Sequence, residues 1–92
     1  MPVNIYNSDN SERLAWLSDD CWELPTQIDD LETWLNNNES KTPTGNYVAD
    51  IGFDIRKDAC GGGAVLSVNS MAIMAKLGME LFLSEYPDSG EE

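Results

Sequence analysis

Residues 47–55, with the sequence YVADIGFDI, decide the kind of fold that this chain can adopt. Apolar side chains recur at every second position and share one face, at Tyr47, Ala49, Ile51, Phe53 and Ile55. A period of two is the pattern of a β-strand with one buried face. The stretch therefore predicts a strand whose other face, carrying Asp50 and Asp54, is largely exposed to water.

The residues after this strand predict a hairpin, a helix and a closing strand. Three consecutive glycines end a predicted turn at residues 57–63, and residues 64–68 predict a strand antiparallel to the first because the connection is short. Asn69 or Ser70 then caps a helix that ends at Gly78, where a left-handed residue is expected. The apolar stripe of this helix comprises Met71, Ile73, Met74 and Leu77. Alternation over residues 79–86 predicts the last strand.

The N-terminal side predicts a short edge strand at residues 3–6 and then a short helix at residues 10–17. Asn10 is a favourable capping residue, and Leu14 and Leu17 share a helical face.

A second, longer helix begins after Pro25, where Thr26 and Asp29 approximate a capping box. Its apolar stripe comprises Ile28, Leu31, Trp34 and Leu35. The asparagines at 36–38 end it, since asparagine is a poor helix former. Trp34 completes the stripe and is expected in the core.

This order of elements predicts an α+β fold, in which a small antiparallel or mixed sheet of three to four strands carries two to three helices on one face. The 92 residues have the length of a single domain. Residues 87–92 are expected to form a flexible acidic tail.

The charge balance narrows the choice of partner. The chain has 17 Asp and Glu residues, 5 Lys and Arg residues and no His, which gives a formal net charge of −12. Such a surface repels nucleic acid and anionic membranes and attracts basic proteins, although acidity that serves only solubility is the alternative. Cys21 and Cys60 are too few for a typical secreted domain, and residues 1–10 lack signal-peptide features. We therefore expect a cytoplasmic protein with reduced thiols.

The residue types argue against catalysis. Without histidine, the commonest general base and zinc ligand is missing. Asp50 and Asp54 are about 13 Å apart at the rise of a strand, which is too far for a catalytic carboxylate pair. The glycines at 61–63 lack the Lys-Ser/Thr of a phosphate loop, and two isolated cysteines have no zinc spacing. We expect no enzyme activity, no metal and no cofactor.

The acidic residues before and within the second helix are the candidate partner-binding site. They flank Trp22, which is either an exposed aromatic anchor or a side chain packed under the helix junction. The candidate residues are Asp19, Asp20, Trp22, Glu23, Asp29, Asp30 and Glu32.

The leading hypothesis is a non-catalytic inhibitor of a basic, nucleic-acid-handling partner, of the kind found among phage anti-defence proteins, such as anti-CRISPR proteins and DNA mimics, or toxin-immunity proteins. It would bind protein and not nucleic acid or membrane, as a monomer or weak homodimer. The alternative is a structural or regulatory subunit that self-associates or joins a larger assembly through an exposed sheet edge or its methionine-rich helix. An enzyme is the third class.

Between Trp34 and Tyr86 the order of features resembles the C-terminal part of the small bacterial DUF4279 family. The matching features are the helix at 31–35, the strand at 47–55, the glycines at 61–63 and the helix-strand stretch at 74–86. The chain departs from that family in its short N-terminal part and its acidity. The resemblance implies an α+β fold, and it implies no mechanism because the family has no assigned activity.

Overall fold

The computed structural model describes residues 3–54 and 63–86, which form a four-stranded sheet and two helices. The elements are β1 (Val3–Asn7), β2 (Arg13–Leu17), α1 (Leu24–Asn38), β3 (Tyr47–Asp54), α2 (Val68–Leu77) and β4 (Met79–Tyr86), with a 3₁₀ turn at Glu39–Lys41. Both helices pack on the same face of the sheet and enclose one apolar core. The predicted α+β fold is confirmed.

The sheet is mixed, and its strands lie in the order β2-β1-β3-β4. β1 pairs antiparallel with β2 and β3, whereas β3 and β4 are parallel and are connected through α2. A parallel pair needs such a crossover because the chain must return to the end at which β3 begins. Consequently β2, β3 and β4 all finish at one end of the sheet, which we call the near end. The far end is where β3 and β4 begin.

The predicted helix at residues 10–17 is wrong, because this part of the chain forms the β1–β2 hairpin. The side-chain oxygens of Asn7 and Asn10 accept hydrogen bonds from the backbone N–H groups of Asp9 (2.8 Å) and Glu12 (2.9 Å). The Asn10 side chain therefore stabilises the turn and does not begin a helix. A helix this short is marginal on its own, and pairing with β1 satisfies the backbone instead.

The predicted strand at residues 64–68 is also wrong. Residues 64–67 have no regular structure, and α2 already begins at Val68. Ser67 is the reason, because its side chain accepts a hydrogen bond from the backbone N–H of Ser70 (3.0 Å) and caps the helix before the predicted positions. Strand β3 pairs with β4 in place of the expected hairpin partner. Residues 55–62 and 87–92 lie outside the described residues, so the predicted turn and tail stay predictions.

Helix α1 buries its predicted stripe but starts differently. Glu23 occupies the N-cap position without a side-chain cap bond, so the capping box of Thr26 and Asp29 is wrong. Pro25 lies in the first turn, where its missing N–H removes no helical hydrogen bond. Apolar residues of the stripe are buried at Ile28, Leu31 and Leu35, and Trp34 is half-buried against the core.

Helix α2 ends at Gly78 as predicted. This residue has φ = 83°, and a Cβ atom there would lie 2.1 Å from the carbonyl oxygen of Gly45. Both the backbone angle and the close approach therefore require glycine. Three residues of the predicted stripe are buried, Ile73, Met74 and Leu77, but Met71 is 49% exposed because Ser70 faces the core in its place.

Candidate functional site

The connection between β2 and α1, residues 18–23, carries most of the predicted site and crosses the near end of the sheet. Gln27, which is buried in α1, holds it in place. The Gln27 Nε2 atom donates to the carbonyl of Cys21 in the connection (2.8 Å) and to that of Gly52 in β3 (2.7 Å). The carboxylates of the connection therefore stand on a backbone that is tied to both a helix and a strand.

Four of the predicted carboxylates at the near end are exposed to solvent: Asp19, Asp20, Glu23 and Asp29. Asp30 is half-buried and accepts a hydrogen bond from the Ser18 hydroxyl, which joins α1 to the start of the connection. The exposed groups keep free lone pairs, with which a carboxylate can accept hydrogen bonds from arginine or lysine. We call the four exposed carboxylates the acidic end.

Trp22 packs beside the acidic end and is half-buried. Its ring meets the ring of Tyr86 edge to face, with centroids 5.6 Å apart and planes at 90°. Its carbonyl accepts a hydrogen bond from the backbone N–H of Asp54 at the end of β3 (3.0 Å). Tyr86 remains 42% exposed, so the pair presents an aromatic edge to solvent next to the carboxylates.

Glu32 differs from the other candidates because its carboxylate has a structural partner. The backbone N–H of Ser67, the N-cap residue of α2, donates to Glu32 Oε2 at 2.7 Å. That hydrogen bond lowers the pKa of Glu32, with further help from the hydroxyls of Ser70 and Ser67, while burial opposes the shift. Glu32 thus holds the start of α2 against α1, and we place it outside the acidic end.

The sheet face that turns away from the helices carries a further set of aromatic side chains. The strand register places Trp16, Asn4, Asp50 and Phe82 in one row across the sheet. The next row toward the far end contains Arg13, Tyr6, Val48 and Glu80. The core and both helices lie on the other face, and Trp16 and Phe82 are 38% and 47% exposed, whereas Val48 is buried with 4% of its surface exposed. We call these eight residues the open face.

Trp16 connects the open face to the acidic end. Its Nε1 atom donates to Asp19 Oδ1 at 2.7 Å, while the guanidinium of Arg13 lies 4.1 Å from its ring centroid. One side of the indole therefore contacts a carboxylate and its face contacts a cation. An electron-rich ring at this position is able to stack against a guanidinium or ammonium group.

Sequence reasoning missed the open face because of an irregularity in β2. Arg13 and Trp16 are three residues apart, yet they share a face because the register shifts between Ile5 and Tyr6. The shift leaves one extra residue on β2 at this point, and such an irregularity is a β-bulge. A spacing of three is also the spacing of a helical face, which is why the pattern favoured a helix. On β4 the alternation did separate Glu80, Phe82 and Ser84 from the core face, as the register confirms.

The described charges are distributed unequally along the molecule. All three described cations, Arg13, Lys41 and Lys76, lie toward the far end, where four carboxylates accompany them: Asp9, Glu12, Glu39 and Glu80. One of these pairs, Lys76 with Glu39, forms a salt bridge of 3.1 Å. Toward the near end lie the acidic end, Asp30, Asp54 and Glu85, with no cation among the residues that the structure describes. In the described part of the fold, positive and negative charges therefore nearly cancel at the far end, whereas the near end is strongly negative.

Residues 3–54 and 63–86 contain no cluster of three His, Cys, Asp or Glu side chains that could hold a metal ion. Cys21 is a free, half-buried thiol, and Cys60 lies outside the described residues. In the described part of the chain, no helix is both long enough and apolar enough to cross a membrane. What the near end offers is carboxylate oxygens beside aromatic rings, which suits recognition of cationic side chains.

Comparison with known proteins finds no matching family model, no matching curated protein and no matching solved structure, so the resemblance to DUF4279 stays a prediction.

Proposed function

We propose that this chain is a non-catalytic inhibitor that binds a basic protein surface, and that its target is a protein that handles nucleic acid. The observation that carries the proposal is the concentration of exposed carboxylates at the near end, beside the rings of Trp16, Trp22 and Tyr86. Inhibition then needs no chemical step, since occupying the target's basic surface excludes its natural ligand.

Charge supports the choice of a basic target. A net charge of −12 accelerates encounter with a cationic surface and opposes binding to anionic ones. The charge difference between the two ends of the described part of the fold would orient that encounter, because the described near end attracts a cation more strongly than the nearly balanced far end. A surface that normally binds nucleic-acid phosphates is basic, so it is a surface that this charge favours.

The aromatic rings supply the second half of the proposed interface. Exposed carboxylates alone form weak contacts, because each ion pair at a surface is worth little. Interfaces gain most of their affinity from a few buried aromatic and arginine side chains. Trp16 and the Trp22–Tyr86 pair are the described rings next to the acidic end, and we assign them the role of contacts for arginine side chains of the target.

The proposal is tested with two variants that remove equal charge from opposite ends. The near-end variant replaces the acidic end, as Asp19→Asn, Asp20→Asn, Glu23→Gln and Asp29→Asn. The matched far-end variant is Asp9→Asn, Glu12→Gln, Glu39→Gln and Glu80→Gln. Each immobilised protein is used to capture partners from a cell extract at low and high salt, and thermal unfolding establishes that each variant is folded.

The wild type and the far-end variant are expected to retain a nucleic-acid-binding protein that double-stranded DNA displaces, with affinity falling steeply as salt rises. The near-end variant is expected to bind at least about tenfold more weakly. Charges at the rim of an interface usually affect the association rate and its dependence on salt. Equal capture by the two variants, or a captured partner that DNA does not displace, would contradict the proposal.

A further inference from the structure

Strand β4 lies at one edge of the sheet and pairs with β3 over all eight of its residues without a shift in register. Edge strands are usually protected from further pairing by proline, lysine, a bulge or a short length. The opposite edge follows this rule, since β2 has five residues, a bulge and Arg13. Residues 79–86 contain no proline and no lysine, so β4 has none of these protections.

The hydrogen bonds to β3 show which backbone groups of β4 face outward. The backbone N–H of Tyr47 donates to the carbonyl of Gly78 at 2.9 Å, and Tyr47 is paired with Met79. In a parallel ladder the two neighbours of the paired residue make the bonds, so alternate residues from Glu80 onward direct their N–H and C=O groups to β3. The intervening residues direct these groups outward, where no described strand pairs with them; they are Leu81, Leu83 and Glu85.

The side chains along this edge differ between the two faces of the sheet. On the face away from the helices, β4 carries Glu80 and Phe82, and the register places Asp50 of β3 beside Phe82. On the face toward the helices, Leu83 is 54% exposed and Glu85 follows it toward the near end. The edge therefore presents carboxylates and an aromatic ring on one face, and an exposed apolar side chain on the other.

We infer that the outer edge of β4 binds an extended segment of a basic protein, in which cationic side chains alternate with apolar ones. Such a segment adds a strand through main-chain hydrogen bonds, and its side chains alternate between the two faces. Its cations lie near Glu80 and Asp50, and its apolar side chains contact Leu83. The inference goes beyond the proposed function, because it assigns recognition of a peptide backbone and uses none of the carboxylates of the acidic end.

The charges of the two strands support a cationic segment. Residues 47–54 and 79–86 contain no Lys or Arg. Arg13 lies in the strand at the opposite edge of the sheet, and Lys76 is paired with Glu39. The carboxylates of β3 and β4 therefore have no cation within their own strands, and a cationic segment supplies one.

A second copy of the chain is a less favourable occupant of this edge. Its β4 strand would bring Glu80 and Glu85 to an edge that already carries both carboxylates, on a molecule with a net charge of −12. Like charges on adjacent strands oppose pairing. These two carboxylates thus protect the edge against copies of the same chain but not against a cationic strand.

Amide hydrogen exchange of the intact chain, measured by NMR, tests the inference. The probe is an acetylated and amidated eight-residue peptide in which lysine alternates with valine, matching the length of β4. Excess peptide is expected to slow exchange of the outward amides of Leu81, Leu83 and Glu85 at least about tenfold, while the amides of β2 at the opposite edge change little. Unchanged exchange of the three amides overturns the inference, and so does equal slowing at β2. Slowing that follows chain concentration without peptide would show that a second copy occupies the edge, and it also overturns the inference.

Backbone controls separate strand addition from simple charge attraction. Leu83→Pro removes an outward N–H without removing a bond to β3, and it is expected to weaken peptide binding at least about tenfold, whereas Leu83→Ala keeps the N–H and is expected to weaken it less. Methylating one alternate set of the peptide's backbone nitrogens tests the same bonds from the other side, even if Leu83→Pro does not fold. One set is expected to abolish binding and the other to leave it, and equal effects of the two sets overturn the inference.

The outcomes distinguish this inference from the proposed function. A peptide that does not bind overturns strand addition at β4 and leaves the acidic end as the proposed contact. Equal capture by the near-end and far-end variants overturns the proposed function and leaves the result with the peptide standing.

Discussion

Replacing Arg13 by glutamine is expected to strengthen binding of the proposed basic partner, although Arg13 contributes one of the few internal cation contacts. Its guanidinium lies 4.1 Å from the centroid of the Trp16 ring, on the open face. A partner arginine that stacks on Trp16 must displace this group and must approach a charge of its own sign. The wild-type residue thus competes with the partner for the ring.

Two contributions set the expected gain. Like unit charges about 7 Å apart repel by about 0.6 kcal/mol at the dielectric constant of water, and salt reduces this further. A cation–π contact at an exposed site such as Trp16 is worth about 0.5–1 kcal/mol, which the wild type loses when the partner displaces Arg13. Arg13→Gln removes both the repulsion and the competing contact, so it is expected to strengthen binding by about 1–1.5 kcal/mol. This lowers the dissociation constant roughly five- to tenfold.

Isothermal titration of the captured partner measures this in a double-mutant cycle with Arg13→Gln and Trp16→Ala. In the Trp16→Ala background only the repulsion remains, so Arg13→Gln should gain about 0.6 kcal/mol or less. Thermal unfolding of each variant is the control for folding. Weaker or unchanged binding of Arg13→Gln in the wild-type background would refute the assignment of Trp16 as a contact for the partner's cation.

Two further predictions concern the scaffold. Glu32→Gln should lower the free energy of unfolding by about 1–2 kcal/mol at neutral pH, because the charged acceptor of the Ser67 N–H is lost. A carboxyl whose pKa is lowered by folding stabilises the fold above its ordinary pKa of 4.5 and loses that contribution as pH falls through the folded pKa. The unfolding free energies of variant and wild type, measured with denaturant, should therefore converge as pH is lowered below 4.5. Gly78→Ala should cost about 2–4 kcal/mol, since it combines φ = 83° with a 2.1 Å contact to Gly45. Gly63→Ala is the control, having φ = 118° but no atom within 4 Å of the added Cβ, and a loss as large as that of Gly78→Ala would show that the contact is unimportant.

Local sequence patterns predicted the parts of the fold that are determined by the residues of a single helix or strand. Strand β3, the buried stripe of α1 and the last strand follow from hydrophobic periodicity, which is set by the side chains of one element. Gly78 was predictable for the same reason, because a left-handed helix end favours glycine in almost any context. Charge composition pointed to the carboxylates between Asp19 and Glu32 as the candidate surface, and their role in binding stays a prediction.

What escaped prediction depends on partners that are distant in the chain. The bulge of β2 exists only because β1 lies alongside it, and it gives Arg13 and Trp16 a helix-like spacing on a strand. Val65 and Val68 resemble strand residues in sequence, yet they are 81% and 79% exposed because β4, and not residues 64–68, occupies the position beside β3. The open face and the Trp22–Tyr86 contact both arise from this strand order.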